Sequence, residues 1–335
     1  MTLFVIGIGL CDETDITLRA LEAVRSSERV YLEAYTSILM VEDYQERLEK
    51  LYGKPVIMAH RETVELESDA ILSLASTSNV SFLVVGDPLS ATTHTDLILR
   101  AHAATPKVPV RIIHNASIMT AIGSSGLQAY NFGQTVSVPF WTEEWKPDSW
   151  LERIKENMNR GNHTLVLGDI KVREQSQDDM ARGVLRYQPP RYMLIPQLIT
   201  QLLSASQHYA STSPDPSLIL SPDRTLAVAL CRMGADDELI VSGTLGELLA
   251  LASPSVEEAQ REEAEDDADE LASEAELDRR RAARAEQRAI RAFGAPLHSL
   301  VLVGSRLHEM ESRYAALWKV GEGWEKVASE VYGCR

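Results

Sequence analysis

The chain has 335 residues, 44% of them hydrophobic, and a formal net charge of −16 at pH 7. This length and apolar content predict a globular protein with two domains or one large domain. A surface this acidic repels phosphate backbones, so the composition argues against nucleic acid as a ligand.

The cysteines and the apolar runs bear on the compartment. Cys11, Cys231 and Cys334 are far apart in sequence, which gives neither a CxxC pair nor a zinc pattern and favours a reducing compartment. No apolar run approaches the length of a membrane span, and no basic region precedes the first predicted strand. We therefore expect a cytoplasmic protein without a metal site or a membrane contact.

Apolar runs alternate with helical patterns through the first half of the chain. The strands that these runs predict lie at 3–8, 29–32, 80–85, 108–113 and 136–140. A helix is predicted after the first strand, capped by Thr14 or Asp15, and another at 95–103. Because the apolar runs lack period-two alternation, the strands are expected to be covered on both faces, as in a mostly parallel α/β sheet.

The pattern changes near Trp141, which predicts an N-terminal α/β domain over 1–141 and a C-terminal α/β domain over 142–335. Ser149 and Glu152 have the spacing of a capping box at a helix start. Strands are predicted at 164–167, 225–231 and 298–303, with a helix at 197–209 between the first two.

One segment differs in composition from the rest of the second half. Residues 257–291 hold 13 acidic and seven basic side chains, with the acids first and the arginines last. A charged arm for a partner is one interpretation. A solvated surface insertion without a catalytic role is the favoured one, because the charges are mixed and no apolar stripe runs through the segment. Its deletion is expected to preserve fold and activity.

Three short motifs follow predicted strands, where α/β proteins bind ligands. Gly7-Ile8-Gly9 ends the first strand, and a tight turn explains it about as well as a nucleotide site does. Asp87, between Gly86 and Pro88, can accept hydrogen bonds from a ligand or cap a simple turn. The run 114–118 ends another strand, where the Ser117 hydroxyl can bind a ligand. Asn115 or Ser117 can equally cap the next helix, and both roles can hold together.

The sequence lacks the motifs of several other enzyme classes. The dinucleotide-binding fingerprint GxGxxG requires glycine at position 12, where this chain has Asp12, so NAD is not expected. The sequence has no P-loop, no evident nucleophile–base triad and no histidine spacing for a metal. No catalytic residue is assigned. A lone histidine such as His298, which opens an apolar strand, is more often structural than catalytic.

Taken together, these segments resemble the diphthine synthase family of the class III, tetrapyrrole-methylase-like methyltransferases. The GxG and GDP elements are typical of the whole superfamily, and the runs 31–37, 91–94, 114–119 and 234–237 are typical of diphthine synthases. The matching stretches are 6–10, 30–37, 82–88, 91–94, 113–119, 169–172, 189–193, 234–237 and 296–300.

The resemblance implies two α/β domains, the first with a mostly parallel sheet and the second with a mixed sheet, and an active-site cleft between them. It implies a homodimer that uses S-adenosyl-L-methionine and releases S-adenosyl-L-homocysteine. The implied substrate is the 3-amino-3-carboxypropyl group on a histidine of translation elongation factor 2. Repeated methylation of that group, with esterification in the eukaryotic branch, gives diphthine methyl ester in diphthamide biosynthesis.

The resemblance also implies which positions bind the methyl donor. The positions that match the family directly are Leu10, Asp87, Ser117, Ile118 and His298. Three further positions align but differ in residue type: the family often has Gly where this chain has Ser90, Leu where it has Gly168 and Val where it has Met233.

Methyl transfer from a sulfonium needs mainly alignment of donor and acceptor, so catalysis is expected to depend on positioning. Candidates for holding the acceptor are Glu33, Tyr35, His94 and Lys171, each with a structural role as the alternative. Two rival functions are another class III methyltransferase, acting on a tetrapyrrole or ribosomal RNA, and a non-enzymatic module that binds the elongation factor. The negative charge argues against RNA, and the intact strand-end motifs argue against an inactive site.

Overall fold

The computed structural model describes residues 1–65, 68–90, 92–175, 182–184, 186–212, 220–269 and 272–334. The chain divides into two compact units. Unit 1 comprises Met1–Ala121, Ile170–Arg191 and Arg232–Asp237, and unit 2 comprises Ile122–Asp169, Tyr192–Cys231 and Glu238–Arg335. The domain boundary expected after residue 141 stays a prediction.

The elements of unit 1 alternate between strand and helix, as the sequence predicted. Its strands are β1 (Leu3–Gly7), β2 (Arg29–Glu33), β3 (Val56–Ala59), β4 (Val80–Val84), β5 (Val110–Ile113) and the short β8 (Ile170–Lys171). Its helices are α1 (Leu18–Ser26), α2 (Tyr44–Tyr52), α3 (Arg61–Glu65), α4 (Ser68–Thr77), α5 (Thr95–Ala103) and α6 (Ile118–Ala121).

The sheet of unit 1 is parallel, with strand order β3-β2-β4-β1-β5. One face packs against α1 and α2, with Val24 and Leu48 fully buried, and the other packs against α4 and α5 around Phe82. Helices on both faces explain why β1 and β4 are apolar at nearly every position and buried throughout. All five strands end at the same edge of this sheet.

The elements of unit 2 are assembled from separated parts of the chain. Its strands are β6 (Val136–Val138), β7 (Thr164–Gly168), β10 (Leu226–Cys231), β11 (Leu239–Thr244) and β12 (His298–Leu302). The two-residue β9 is Arg191–Tyr192, of which Arg191 belongs to unit 1 and Tyr192 to unit 2. Its helices are α7 (Trp150–Arg160), α8 (Ile195–Thr212), α9 (Leu245–Ala250), α10 (Val256–Ala268), α11 (Glu274–Phe293), α12 (Glu309–Ala315) and α13 (Gly323–Tyr332).

The sheet of unit 2 is mixed, with order β11-β10-β12-β7-β6. The pairings are antiparallel except for β6 with β7, which is parallel. Residues of α7, α8 and α9 form a core against this sheet, and the fully buried Phe293 joins it from the end of α11. The mixed α/β fold predicted from the sequence is confirmed.

The charged segment 257–291 is almost entirely helical, since α10 and α11 span most of it. The two helices form an antiparallel hairpin in which facing side chains form ion pairs. These pairs are Glu258–Arg291, Glu262–Arg288, Glu265–Arg284, Asp266–Arg284, Asp266–Arg281 and Asp269–Arg280. The acids recur every three or four residues, which places them on one face of α10.

Several local predictions were wrong. The strand expected at 136–140 was assigned to the first sheet, but β6 pairs with β7 in the second. Strands β3 and β11 were not predicted. Ser149 precedes α7 with helical backbone angles and makes no side-chain cap, so the capping box with Glu152 does not form. The first α-helix is capped by Thr17, and Thr14 and Asp15 lie instead in a 3-10 turn capped by Asp12.

Candidate functional site

The carboxyl ends of β4, β1 and β5 lie side by side in the sheet of unit 1, and each leads into one of the motifs found in the sequence. Open parallel sheets bind their ligands at this edge. The candidate site is therefore built from three loops, which follow Gly7, Val84 and Ile113.

The glycines of the first loop are required by close packing of these loops. The main chains of Gly9 and Gly86 bond to each other, with the Gly86 N–H 2.6 Å from the Gly9 carbonyl oxygen. A Cβ on Gly9 would lie 2.3 Å from the Cβ of Asp15, and one on Gly7 would lie 2.5 Å from the carbonyl oxygen of Gly86. Gly9 also has φ of +90°, which other residues rarely adopt.

Asp15 orders the chain around Leu10. Its Oδ2 accepts hydrogen bonds from the main-chain N–H groups of Leu10 and Cys11, at 3.0 and 2.8 Å. The loop that contains Met233 also lies near this point, because a Cβ on Gly234 would be 3.2 Å from the Cβ of Leu10. Leu10 and the loop around Met233 are thus neighbours within unit 1.

Asp87 is buried and uses both carboxylate oxygens to order the other two loops. Oδ1 accepts from the Leu89 N–H at 3.0 Å and from the Ser90 hydroxyl at 3.2 Å. Oδ2 accepts from His114 Nδ1 at 2.7 Å and from the Asn115 N–H at 3.2 Å. Burial raises the pKa of Asp87, but these hydrogen bonds outweigh burial and hold the pKa below its ordinary value.

Asn115 connects the ends of β5 and β1. Its side-chain amide donates to the carbonyl oxygen of Gly7 at 3.1 Å and to that of Asp15 at 3.0 Å. Its Oδ1 accepts from the Ala116 N–H at 2.8 Å. The sequence suggested Asn115 as a helix cap, but the structure uses it as a link between loops.

Ser117 holds a polar atom that the protein does not satisfy. Ser117 is 4% exposed, and its buried Oγ has no hydrogen-bond partner within the described residues. Gly86 lies directly beside it, since a Cβ there would be 3.2 Å from the Cβ of Ser117. A buried hydroxyl without a partner costs about 1–3 kcal/mol, and a ligand with a donor or acceptor would remove that cost.

The eight predicted donor-site residues fall into two groups. Leu10, Asp87, Ser90, Ser117 and Ile118 come together at the strand-end loops of unit 1, with Met233 on the loop beside Leu10. Gly168 and His298 belong to unit 2, at the same end of the paired strands β7 and β12. No observation tests their contact with a donor, which stays a prediction for all eight.

His298 is buried and well satisfied, in agreement with the structural alternative. Its Nδ1 accepts from the Ile195 N–H at 3.4 Å, and its Nε2 lies 3.1 and 3.0 Å from the carbonyl oxygens of Gly294 and Ala295. Nε2 therefore carries the proton. Both ring nitrogens have main-chain partners within unit 2.

Two of the four candidates for holding the acceptor have structural roles. Glu33 is 1% exposed, and its carboxylate accepts from the N–H groups of Tyr35 and Thr36 and from the Thr36 hydroxyl. His94 is fully buried, and burial lowers its pKa to about 4, so the ring is neutral at pH 7. Ala91, in the matching run 91–94, lies outside the described residues.

Tyr35 and Lys171, the other two candidates, are half-buried. The Tyr35 ring packs edge-on against His94, with ring centres 6.1 Å apart, and the Arg61 guanidinium lies 5.4 Å above its centre. Lys171 lies in β8. Their predicted contact with an acceptor stays a prediction.

The described part of the chain contains no group of three His, Cys, Asp or Glu side chains arranged to hold a metal ion. None of its helices is long and apolar enough to cross a membrane. The three cysteines are free thiols.

The chain is similar to known proteins over most of its length. The model of the tetrapyrrole (corrin/porphyrin) methylase family matches residues 2–249. The diphthine methyl ester synthase of Saccharomyces cerevisiae is 45% identical over 329 residues, which cover 98% of this chain and 92% of that protein. The diphthine methyl ester synthase of Homo sapiens is 42% identical, with 96% of each chain covered.

Among solved structures, a crystal structure of diphthine synthase superposes with a TM-score of 0.69 at 26% identity. The match covers 97% of this chain and all of that chain. The similarity therefore extends over both units and is not confined to the strand-end motifs.

Proposed function

We propose, from the premise that this chain belongs to the diphthine methyl ester synthases of the tetrapyrrole methylase family, that it methylates translation elongation factor 2 with S-adenosyl-L-methionine. Relatives that are 42–46% identical over nearly the whole chain establish that this chain is a methyltransferase of diphthamide biosynthesis. The donor, the protein substrate, the homodimer and the cytoplasmic location are the proposed parts.

The observation that carries the donor proposal is the unsatisfied hydroxyl of Ser117 at the end of β5. A ribose hydroxyl or an amino group of the donor offers the missing hydrogen bond, so the residues present fit this cofactor. Leu10, Ser117 and Ile118 would hold it. When bound, S-adenosyl-L-methionine supplies an electrophilic methyl group, and S-adenosyl-L-homocysteine is the product.

Asp87 is proposed to shape the donor site through its neighbours. Both of its oxygens already accept hydrogen bonds from the loops around them. The carboxylate therefore fixes the positions of Ser90 and Asn115, and through Asn115 it fixes the end of β1. Its lowered pKa keeps it ionised at neutral pH, which preserves these bonds.

Catalysis is proposed to depend on positioning, with no side chain acting as an essential general base. A carboxylate acceptor is already ionised at neutral pH, and an amine acceptor can lose its proton to water before it enters. The protein then has to hold the acceptor in line with the methyl group and exclude water. Glu33 and His94, which are enclosed in unit 1, contribute to the fold around the site.

The proposed acceptor is the 3-amino-3-carboxypropyl group on a histidine of the elongation factor. Repeated methylation of that group, including its carboxyl, would give diphthine methyl ester. This places the reaction in the cytoplasm, where translation occurs, and the enzyme is proposed to act as a homodimer. Neither a tetrapyrrole nor ribosomal RNA is favoured as substrate, and a non-enzymatic binding module is not favoured either.

The test uses the purified chain, S-adenosyl-L-methionine and elongation factor 2 taken from cells blocked before the methylation step. Intact mass spectrometry should find several added methyl groups on each factor, and one of them should be removed by mild alkali as an ester. Unchanged factor, together with methylation of a tetrapyrrole or of ribosomal RNA, would overturn the proposal.

A further inference from the structure

A groove runs along the outer edge of the sheet in unit 1, outside the donor site. Strand β5 is the edge strand, and α1 packs beside it on one face. Between them lies a cavity of about 430 Å³. We call it the edge groove, and the residues that line it are Thr17, Arg19, Arg111, Ile112, Ile113 and His114.

The main chain of β5 leaves hydrogen-bonding groups open along this groove. The Leu3 N–H donates to the carbonyl oxygen of Pro109, and the parallel register pairs Val5 with Ile112. In a parallel ladder the bonds to one neighbour use every second residue, so residues 109, 111 and 113 bond to β1. The main-chain N–H and carbonyl of Ile112, which lies between them, therefore face outward. An extended peptide can bond to such an edge as an added strand.

The two fully charged side chains that line this groove are both arginines, in a chain whose formal net charge is −16. Arg19 and Arg111 are exposed and form no ion pair with any described residue. Two copies of this edge would bring four guanidinium groups together, which opposes pairing of the chain with itself. An acidic segment would instead be attracted to the groove and repelled by most of the remaining surface.

The edge groove is continuous with the candidate site. His114 lines the groove, and its Nδ1 lies 2.7 Å from the Asp87 carboxylate. His114 directly follows Ile113, the last residue of the edge strand β5. A polypeptide that lies along β5 therefore passes next to the loops proposed to hold the methyl donor.

We propose that the edge groove binds an extended, acidic segment of the protein substrate as a strand added to β5. Arg19 and Arg111 would pair with its carboxylates, and the main chain of Ile112 would bond to its backbone. This inference rests on the proposed function, because it assigns a docking surface to the same protein substrate.

The test is the double charge reversal Arg19→Glu/Arg111→Glu in the full-length chain. The KM for the elongation factor should rise roughly tenfold or more, and its dependence on salt should weaken. The kcat at saturating factor and the calorimetric affinity for S-adenosyl-L-methionine should not change, because neither arginine belongs to the donor loops. The matched control is Arg153→Glu/Arg279→Glu, which changes the net charge equally at exposed sites in unit 2.

Direct binding of the factor, measured without donor, separates failure of this inference from failure of the proposed function. A wild-type chain that binds the factor but transfers no methyl group would count against the function, and the binding data would still test the groove. An unchanged KM and affinity, or an equal loss in the control, would overturn the groove. A change in oligomeric state with normal affinity for the factor would assign the edge to a second copy and overturn it too.

Discussion

Replacing Asp87 should loosen the candidate site and weaken donor binding together. In Asp87→Ala the N–H groups of Leu89 and Asn115 lose their acceptor, whereas the Ser90 hydroxyl and the exposed His114 ring can turn to water. Hydrogen bonds to a charged group contribute about 1.5–3 kcal/mol each, so the two main-chain bonds amount to about 3–6 kcal/mol. Even the lower end of this loss corresponds to a melting temperature lower by roughly 10 °C for a domain of this size.

Thermal unfolding and calorimetric titration with S-adenosyl-L-methionine measure the two effects. Donor affinity should fall by about tenfold or more, because the loops of Leu10 and Ser117 are linked to Asp87 through Asn115. Asp96→Ala is the control, since it removes an exposed carboxylate of unit 1 that pairs with Arg100 and lies outside the donor loops. If Asp87→Ala melts like the wild type and binds donor equally well, the role assigned to this carboxylate is wrong.

The pKa of Asp87 also predicts a dependence on pH. Because the folded pKa lies below the ordinary value of 3.8, the ionised carboxylate stabilises the fold at pH values above 3.8. This contribution is lost as the pH falls through the lowered pKa. The difference in melting temperature between wild type and Asp87→Asn should therefore shrink below about pH 4, and a difference that grows there would contradict the assignment.

Two further predictions concern buried and charged groups outside the donor loops. Glu33→Gln should change the unfolding free energy by less than about 1 kcal/mol, because the amide keeps one acceptor oxygen and can donate to the Thr36 hydroxyl. Glu33→Ala removes every acceptor and should lower the unfolding free energy by about 3 kcal/mol. Equal losses in a denaturant titration would contradict this reasoning. The sequence predicts that 257–291 can be deleted, but Ala289 near its end is buried, so the deletion tested is shorter. Replacing 257–286 by a flexible linker should preserve stability and methyl transfer. Extending the deletion to 293 removes the fully buried Phe293 and should cost about 3–5 kcal/mol. Inactivation by the shorter deletion would show that the charged hairpin has a function.

The sequence predicted the elements whose pattern is local. Strands β1 and β4 are apolar at nearly every position and β12 is apolar from Leu300 onward, and α5 begins and ends where its pattern predicted. The charged segment was expected to be solvated, and its helices meet through ion pairs that lie on the surface.

The failures concern one long-range pairing and two weak local signals. The apolar run that forms β6 is the same whichever sheet it joins, and its partner β7 lies beyond α7 in the sequence. Strand β3 was missed because it is a short edge strand with Ile57 exposed. A capping box at Ser149 was predicted from spacing alone, but the backbone there is already helical.

For the candidate site, the sequence located the strand ends but not the roles of the side chains. The Gly7-Ile8-Gly9 motif lies at the sheet edge as predicted, yet the reason for its glycines is the packing of Asp15 and Gly86. The links made by Asp15 and Asn115 were missed. An aspartate two residues before a helix cap and an asparagine after a strand were the only signals for them, and both are common in ordinary turns.

The most direct test of the central claim is transfer of a labelled methyl group from S-adenosyl-L-methionine to elongation factor 2. Two forms of the factor are compared, one with the 3-amino-3-carboxypropyl group on its histidine and one without it. The account predicts label on the first form only, bound to the modified histidine. Equal labelling of both forms, or label on neither form while the donor still binds, would contradict it.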